Sequence, residues 1–152
     1  MKFAREMIER RMNAFGEACE RLGIKVTHQR MEIYRTVAST EEHPDAVSVH
    51  RRVKKRIPTI SLDTVYRNLK LLAEHGLISI VGMSQESLRF DGNMRPHHHF
   101  VCLKCGMIRD FSSGLVSGLA MPDEAKAFGN PLSLHLEVKG ICTACQRGVK
   151  RE

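Results

Sequence analysis

The sequence contains no apolar run long enough to span a bilayer, no recognisable secretory segment and no internal repeat. The first two absences argue against a membrane-spanning or exported protein, and the third argues against a repeat architecture. We therefore expect a globular protein in a cytoplasmic compartment, where thiols stay reduced. The 152 residues, 42% of them apolar, are enough for one domain or two small ones.

Acidic residues are scarce relative to basic ones. The formal net charge is +7, and the sequence pI is near 9.4. Residues 1–90 hold 16 Lys and Arg against 11 Asp and Glu, whereas residues 91–152 hold 8 against 6. A basic excess of this kind indicates a polyanionic partner, and its distribution places that partner mainly on the first half of the chain.

Four of the five cysteines form two Cys-x-x-Cys pairs: Cys102 with Cys105, and Cys142 with Cys145. Four thiolates favour a closed, tetrahedral structural zinc site. The 36 residues between the pairs exceed the usual zinc-ribbon spacing, so the fold must bring two separate knuckles together. The alternative is four structural or disulfide-bonded cysteines, and the lack of a secretory segment argues against it.

Three consecutive histidines precede the first cysteine pair. Residues 97–102 and 107–111 are predicted to form two short strands joined by a turn. Pairing of these strands places His99 opposite Asp110 and puts His97 on the same face, with the intervening histidine on the other. Two imidazoles and a carboxylate suit Fe, Mn, Co or a second Zn. The alternative is a solvated histidine run.

The first half of the chain has the signals of a helical DNA-binding domain. A first amphipathic helix is predicted from about Ala4 to Leu22, and Thr27, Asp45 and Ser61 are predicted to cap three more. Two strands then follow, over residues 77–82 and 88–91. Helices followed by a hairpin predict a winged helix-turn-helix.

The last of these helices has polar groups that can touch base edges and phosphates. Arg and Asn are the residue types that bind guanine and adenine bidentately in the major groove. The predicted DNA contacts are Ser61, Thr64, Tyr66, Arg67, Asn68 and Lys70. The basic run over residues 51–56 is either a second contact surface or a solvated helix end.

Beyond Asp110 the glycines predict only short elements, one of them a helix over residues 122–128. The alternation of Leu132, Leu134, Leu136 and Val138 with polar residues predicts a strand that leads into Cys142.

These motifs together resemble the ferric uptake regulator (Fur) family of bacterial metal-dependent repressors, and the resemblance covers nearly the whole chain. The matching segments are VTHQR at 26–30, HP at 43–44, SLDTVYRNL at 61–69, LRFD at 88–91, HHHFVCLKCG at 97–106 and GICTAC at 140–145.

The resemblance implies an α+β protein with a winged-helix domain over residues 1–89, a linker over 90–96 and a metal-binding dimerisation domain over 97–152. That second domain is a small α/β unit stapled by the four-cysteine zinc site. The implied partners are a second copy of the chain and an inverted-repeat operator in double-stranded DNA. No membrane and no small-molecule substrate are expected.

Within the family the chain is most similar to the peroxide-responsive branch, PerR. The resemblance implies that five residues bind a regulatory Fe²⁺ or Mn²⁺ and that the ion fixes the angle between the domains. It also implies that peroxide acts by oxidising one or two ligand histidines. The implied ligands are His43, Asp91, His97, His99 and Asp110.

Three other functions compete with this one. A zinc deaminase also combines His with Cys-x-x-Cys, but it needs a glutamate proton shuttle, and no glutamate lies between Glu86 and Glu124. We therefore expect no enzymatic activity. An iron- or zinc-sensing repressor without peroxide chemistry and a constitutive zinc-stapled DNA-binding protein share the predicted fold.

Overall fold

The computed structural model of the chain describes residues 5–84 and 87–148. Its contacts divide it into two compact units, Met1–Met94 and Arg95–Glu152. This division falls inside the linker predicted over residues 90–96, although Phe90 and Asp91 belong to a strand of the first unit. No helix in the described part of the chain is both long and apolar enough to cross a membrane.

The first unit has four helices followed by an antiparallel hairpin, which is the predicted winged helix-turn-helix. Residue Ala4, the predicted start of the first helix, lies outside the described residues. In chain order the elements are α1 (Arg5–Leu22), α2 (His28–Ala38), α3 (Ala46–Lys54), α4 (Leu62–Glu74), β1 (Ser79–Ser84) and β2 (Ser87–Asp91).

Local side-chain chemistry sets the ends of these helices. Thr27, Asp45 and Ser61 each accept a hydrogen bond from the backbone N–H three residues on, at 2.8–3.1 Å, so all three predicted caps are confirmed. Gly23 and Gly76 follow α1 and α4 with φ values of +69° and +70°, a conformation that glycine adopts without a steric penalty.

The core of the first unit lies among its helices. Phe15 of α1 stacks on Tyr34 of α2 with ring centroids 4.0 Å apart, and Cys19 is fully buried one turn further along α1. Leu69 and Leu72 of α4 are also fully buried. These apolar stripes orient α4 so that its opposite face is exposed to solvent.

The second unit is built on a three-stranded sheet. Its strands are β3 (His98–Cys102), β4 (Ile108–Phe111) and β5 (Glu137–Gly140), and the sheet order is β4-β3-β5. The central strand β3 pairs antiparallel with β4 and parallel with β5. Three short helices complete the unit: α5 (Gly114–Ser117), α6 (Asp123–Lys126) and α7 (Thr143–Gln146).

The strand predicted from the alternating leucines is wrong in its length, because the observed strand begins later in the chain. Residues 131–136 have no regular secondary structure, and the strand begins only at Glu137. Strand pairing explains the difference. Glu137 is opposite His99, and β3 begins only one residue earlier, so the residues before Glu137 have almost no β3 residues opposite them. Leu132 is 90% exposed, so the alternation there does not mark burial.

Gly92 generates a test of the first unit's packing. A Cβ atom at this position would lie 2.7 Å from the Cα atom of Ala38, the last residue of α2, so Gly92→Ala must displace backbone. We expect it to destabilise the first unit by about 1–3 kcal/mol, the usual cost of overpacking. Thermal unfolding followed by circular dichroism measures the change.

The matched control is Gly16→Ala in α1, where an added Cβ meets nothing within 4 Å. It should stabilise the helix by about 0.5–1 kcal/mol, since alanine loses less backbone entropy than glycine. A Gly92→Ala protein that unfolds at or above the temperature of the unsubstituted chain would show that the close approach does not exist.

Candidate metal centres and nucleic-acid interface

Four thiols converge in the second unit. Cys102 ends β3, Cys105 lies in the turn that follows, Cys142 caps α7 and Cys145 lies within α7. Their Sγ atoms all lie within 4.8 Å of one another, and those of Cys105 and Cys142 are 3.8 Å apart. Tetrahedral zinc with bonds of about 2.3 Å places its sulfurs about 3.8 Å apart. The cluster therefore fits zinc, and all four cysteines are free of disulfides.

Backbone N–H groups polarise this thiol cluster. Hydrogen bonds from the backbone of Cys142 and Cys105 lower the pKa of the Cys102 thiol to about 6. Burial and the neighbouring thiols raise the pKa of Cys145 to about 12. The Cys102 thiol therefore ionises readily, whereas the Cys145 thiol resists ionisation. A bound divalent cation would supply the positive charge that allows all four cysteines to become thiolates.

A second cluster in the same unit contains two histidines and a carboxylate. Strand β3 pairs with β4 so that His99 is opposite Asp110, which confirms the predicted register. Asp110 Oδ1 lies 3.1 Å from His99 Nε2 and 3.5 Å from His97 Nε2, and the two Nε2 atoms are 3.0 Å apart. Both imidazoles are largely buried. Three donor atoms therefore face one point.

The middle histidine of the run, His98, has a structural contact. His98 is buried, and its Nδ1 accepts a hydrogen bond from the backbone N–H of Leu136 at 3.1 Å. His135, the residue before Leu136, places its Nε2 3.1 Å from Nδ1 of His99. Burial lowers the pKa of His135, and the neighbouring His99 acts in the same direction.

The first unit holds a buried histidine–carboxylate pair of its own. His43 Nε2 lies 3.4 Å from Asp91 Oδ2, and the two residues are 2% and 4% exposed. The backbone φ of His43 is +52°, which is strained for a residue other than glycine. The Arg89 guanidinium donates hydrogen bonds to the carbonyls of His43 and Glu42, and these contacts hold the strained loop against β2.

The donors of these two clusters are nitrogen and oxygen only. Imidazoles and carboxylates suit Mn²⁺ and Fe²⁺, whereas the thiol cluster suits zinc. The chain therefore carries a soft donor set in Cys102, Cys105, Cys142 and Cys145. Harder donors occur within each unit, as the pair His43 and Asp91 in the first and as His97, His99 and Asp110 in the second.

The exposed face of α4 carries most of the predicted DNA contacts. Tyr66 is 47% exposed, and the Arg67 and Lys70 side chains are about three-quarters exposed. In the free protein Arg67 pairs with Asp63 at 2.8 Å, one turn earlier on the same helix. Ser61 and Thr64 lie at the start of α4, where their hydroxyls are 2.8 Å apart.

Asn68 has a different environment from the other predicted DNA contacts. It is 9% exposed. Its Oδ1 accepts a hydrogen bond from Arg30 Nε at 2.9 Å, and its Nδ2 donates to the carbonyl of Thr64, also at 2.9 Å. With both ends of the amide occupied, Asn68 fastens α4 to α2 and does not present an adenine-binding edge.

The basic run at the end of α3 is partly neutralised within the first unit. Arg52 pairs with Glu42, and Arg56 pairs with the buried Glu32 at 3.1 Å. Lys54 and Lys55 are exposed. These contacts favour the solvated helix end over a second nucleic-acid surface for the two arginines.

Two residues with roles at the clusters, Arg89 and His135, were not assigned a role from the sequence. Arg89 lies 46 residues from the His43 carbonyl that it contacts, and His135 lies 36 residues from His99. Contacts at such separations leave no periodic signal. The available clues are that Arg89 lies in the LRFD segment and that His135 directly precedes the strand leading to Cys142.

The sequence matches the model of the ferric uptake regulator family over residues 21–127. It is 28% identical to the peroxide-responsive repressor PerR of Staphylococcus aureus over 141 residues, which are 93% of this chain and 95% of that protein.

Two solved structures share the fold. The Helicobacter pylori ferric uptake regulator superimposes with a TM-score of 0.73 at 21% identity, covering 96% of this chain and 97% of that one. A zinc-bound manganese uptake regulator superimposes with a TM-score of 0.63 at 29% identity, covering 84% and 97% of the two chains.

The thiol cluster predicts that Cys102→Ser loses bound zinc and unfolds the second unit. A structural zinc site supplies about 10–16 kcal/mol of apparent binding energy, which exceeds the stability of a typical small domain. Zinc content by mass spectrometry of the native protein should fall from one ion per chain. Cys19→Ala, which removes the thiol of the first unit, should keep that ion. Tight zinc retained at full stoichiometry in Cys102→Ser would contradict the assignment.

Proposed function

The chain belongs to the ferric uptake regulator family, and on that premise we propose that it is a metal-dependent transcriptional repressor that senses peroxide through its ligand histidines. Zinc has a structural role in this proposal and occupies the four thiolates. The regulatory ion, Fe²⁺ or Mn²⁺, takes His43, Asp91, His97, His99 and Asp110 as ligands.

The observation that carries the proposal is the chemical separation of the donor sets. The five proposed regulatory ligands offer only nitrogen and oxygen, and four thiols lie together in a cluster of their own. Nitrogen and oxygen donors hold Fe²⁺ in a form that can react, while zinc-bound thiolates are shielded from oxidation. Asp110, in place of the glutamate usual in the iron-responsive branch, and the similarity to PerR favour peroxide over iron as the signal.

The route from ion to DNA affinity follows from where the ligands lie in the sequence. His43 and Asp91 belong to the DNA-binding unit, and the other three belong to the second unit. An ion bound by all five favours one arrangement of the two units. If that arrangement matches the operator, metal binding raises DNA affinity by its differential affinity for that arrangement.

Held by these residues, Fe²⁺ would supply the reducing electron that converts hydrogen peroxide into hydroxide and a hydroxyl radical beside the ligand imidazoles. Overall, one peroxide would put one oxygen atom into an imidazole C–H bond and leave one water. An imidazole that gains an oxygen atom is a weaker ligand, so the site releases its ion and the repressor releases its operator. Manganese(II) supports DNA binding but does not readily give an electron to peroxide, so the Mn-loaded protein resists this damage.

The proposed DNA partner is an inverted-repeat operator bound by a homodimer. A symmetric dimer presents two copies of α4, and a palindromic site offers each copy the same half-site. The apolar side chains exposed on the second unit support dimerisation there, because Leu115, Phe128 and Leu132 are each at least 86% exposed. In each half-site Tyr66 and Arg67 lie near bases and Lys70 near phosphate.

A metal sensor without peroxide chemistry is the second candidate. The 29% identity to a manganese uptake regulator favours it, because that protein matches this chain as well as PerR does. In that case the same five ligands bind the ion, and operator affinity follows the metal concentration alone.

Substitutions on α4 test the DNA-binding surface. If Arg67 binds a guanine, Arg67→Ala should cost on the order of 1–3 kcal/mol and relax specificity at one base position. Lys70→Ala should weaken binding to all sequences alike and flatten the salt dependence. Both are measured by operator titrations at several salt concentrations. The exposed Lys126 of the second unit provides the control, Lys126→Ala, which should leave binding unchanged. If both α4 variants bind the operator with normal affinity and normal salt dependence, the DNA interface lies on another surface.

Peroxide treatment separates the two candidate functions. After exposure, the Fe-loaded protein should lose its operator and gain one oxygen atom on peptides that contain His43 or His97–His99, as read by mass spectrometry. The Mn-loaded protein should keep its operator, and the exposed His75 should stay unmodified in both samples. An Fe-loaded protein that releases DNA with all ligand histidines intact would exclude histidine oxidation as the trigger.

A further inference from the structure

His135 lies beside the proposed regulatory ligands of the second unit but has no role in the function proposed above. It comes just before β5 in the chain, and three contacts tie this segment to β3. The backbone N–H of His99 donates to the carbonyl of Leu136 at 3.2 Å, and the N–H of Leu136 donates to His98. The third contact joins the imidazoles of His135 and His99, whose ring centroids are 4.8 Å apart.

The two nitrogens of His99 face different partners. Its Nε2 faces Asp110 and His97, the other donors of the cluster, and its Nδ1 faces Nε2 of His135 at 3.1 Å. A neutral imidazole carries one proton, so His99 can offer an electron pair at Nε2 only when the proton is on Nδ1. That tautomer needs an acceptor at Nδ1, and Nε2 of His135 is placed to accept.

Without this acceptor the opposite tautomer is favoured. Asp110 Oδ1 lies 3.1 Å from His99 Nε2 and is a charged acceptor for a proton there. A proton on Nε2 would block the nitrogen that faces the other donors. The contact with His135 opposes this outcome.

His135 can accept the proton of His99 at Nε2 only when its own proton is on Nδ1. Its Nε2 lies 3.1 Å from Nδ1 of His99, so Nδ1 is the nitrogen of His135 that remains to hold that proton. An imidazole protonated on Nδ1 accepts at Nε2, which is the role that His99 requires.

We propose that His135 is a positioning residue that holds the proton of His99 on Nδ1 and so leaves Nε2 as the donor to the regulatory ion. Its effect on metal affinity rests on the proposed function, whereas its effect on the tautomer of His99 does not. A ligand histidine whose second nitrogen is hydrogen-bonded binds its metal more tightly, and losing such a partner costs roughly 10–100-fold in affinity. His135 is exposed, and water competes with it, so the lower end of that range is expected here.

The tautomer is measured on the zinc-containing protein without a regulatory ion. Long-range ¹H–¹⁵N correlation spectra at pH 8, above the ordinary histidine pKa of about 6.5, distinguish a protonated ring nitrogen from an unprotonated one, and His99→Ala assigns the signals of His99. The unsubstituted chain should show His99 protonated on Nδ1. His135→Leu should move the proton to Nε2, toward Asp110. His135→Gln, whose amide oxygen can accept in place of Nε2, should restore it to Nδ1.

Metal affinity is measured on the same proteins by titration with Mn²⁺ alone. His135→Leu should bind about tenfold more weakly, His135→Gln should recover most of the loss, and His28→Leu, which removes an exposed histidine of the first unit, should bind normally. An unchanged His99 tautomer in His135→Leu overturns the proposal. If His99→Ala abolishes Mn²⁺ binding, a changed tautomer in His135→Leu together with an unchanged Mn²⁺ affinity also overturns it. Normal Mn²⁺ binding by His99→Ala would instead refute the proposed regulatory site, while the spectra would still decide the role of His135.

Discussion

The second unit depends on its thiol cluster because it has little else to hold it together. Among the described residues of this unit, Ile108 is the one large apolar side chain that is fully buried, and several leucines are exposed. A small unit with so few buried side chains cannot offset its conformational entropy by hydrophobic burial alone. Zinc binding at the four cysteines supplies the missing free energy, and a dimer interface over the exposed leucines would add to it.

Strand β3 then serves two kinds of chemistry at once. It carries His99 near one end and Cys102 at the other, three residues apart, which is about 10 Å along an extended strand. The hairpin with β4 sets Asp110 beside His99, and the parallel pairing with β5 leads toward the second cysteine pair. One strand therefore fixes both donor sets and keeps the thiolates away from an ion held by the histidines. In the proposed function, that separation leaves histidine, and not cysteine, next to the regulatory ion.

Local signals were enough to predict the parts of this structure that local contacts determine. The caps at Thr27, Asp45 and Ser61 are confirmed because each bond spans only three residues. The register of His99 with Asp110 is confirmed because a short turn between two strands allows few alternatives. Helix and strand signals also predicted the winged helix-turn-helix, and the two cysteine pairs predicted the zinc site. The family resemblance added the expected dimer and the five expected regulatory ligands.

Contacts between distant residues could not be predicted in the same way. Asn68 looked like a base contact because its residue type and helix fitted, but Arg30, 38 residues earlier, occupies its amide. The length of β5 depended on where β3 begins, and the alternating leucines before it gave no indication of that limit. Such features depend on which partner the fold brings near, and neither periodicity nor residue type contains that information.

The rigidity of the first unit bears on how a metal signal could reach DNA. His43 and Asp91 are held by contacts that need no ion, namely the Arg89 hydrogen bonds to the His43 loop and the close approach of Gly92 to the end of α2. Since α2 is connected to α4 through the hydrogen bond between Arg30 and Asn68, these two proposed ligands belong to the same packed unit as the helix proposed to contact the operator. A ligand pair that is already in place costs little free energy to organise. In the proposed function, more of the free energy of metal binding would then remain to favour one arrangement of the repressor over another, and that difference would set operator affinity.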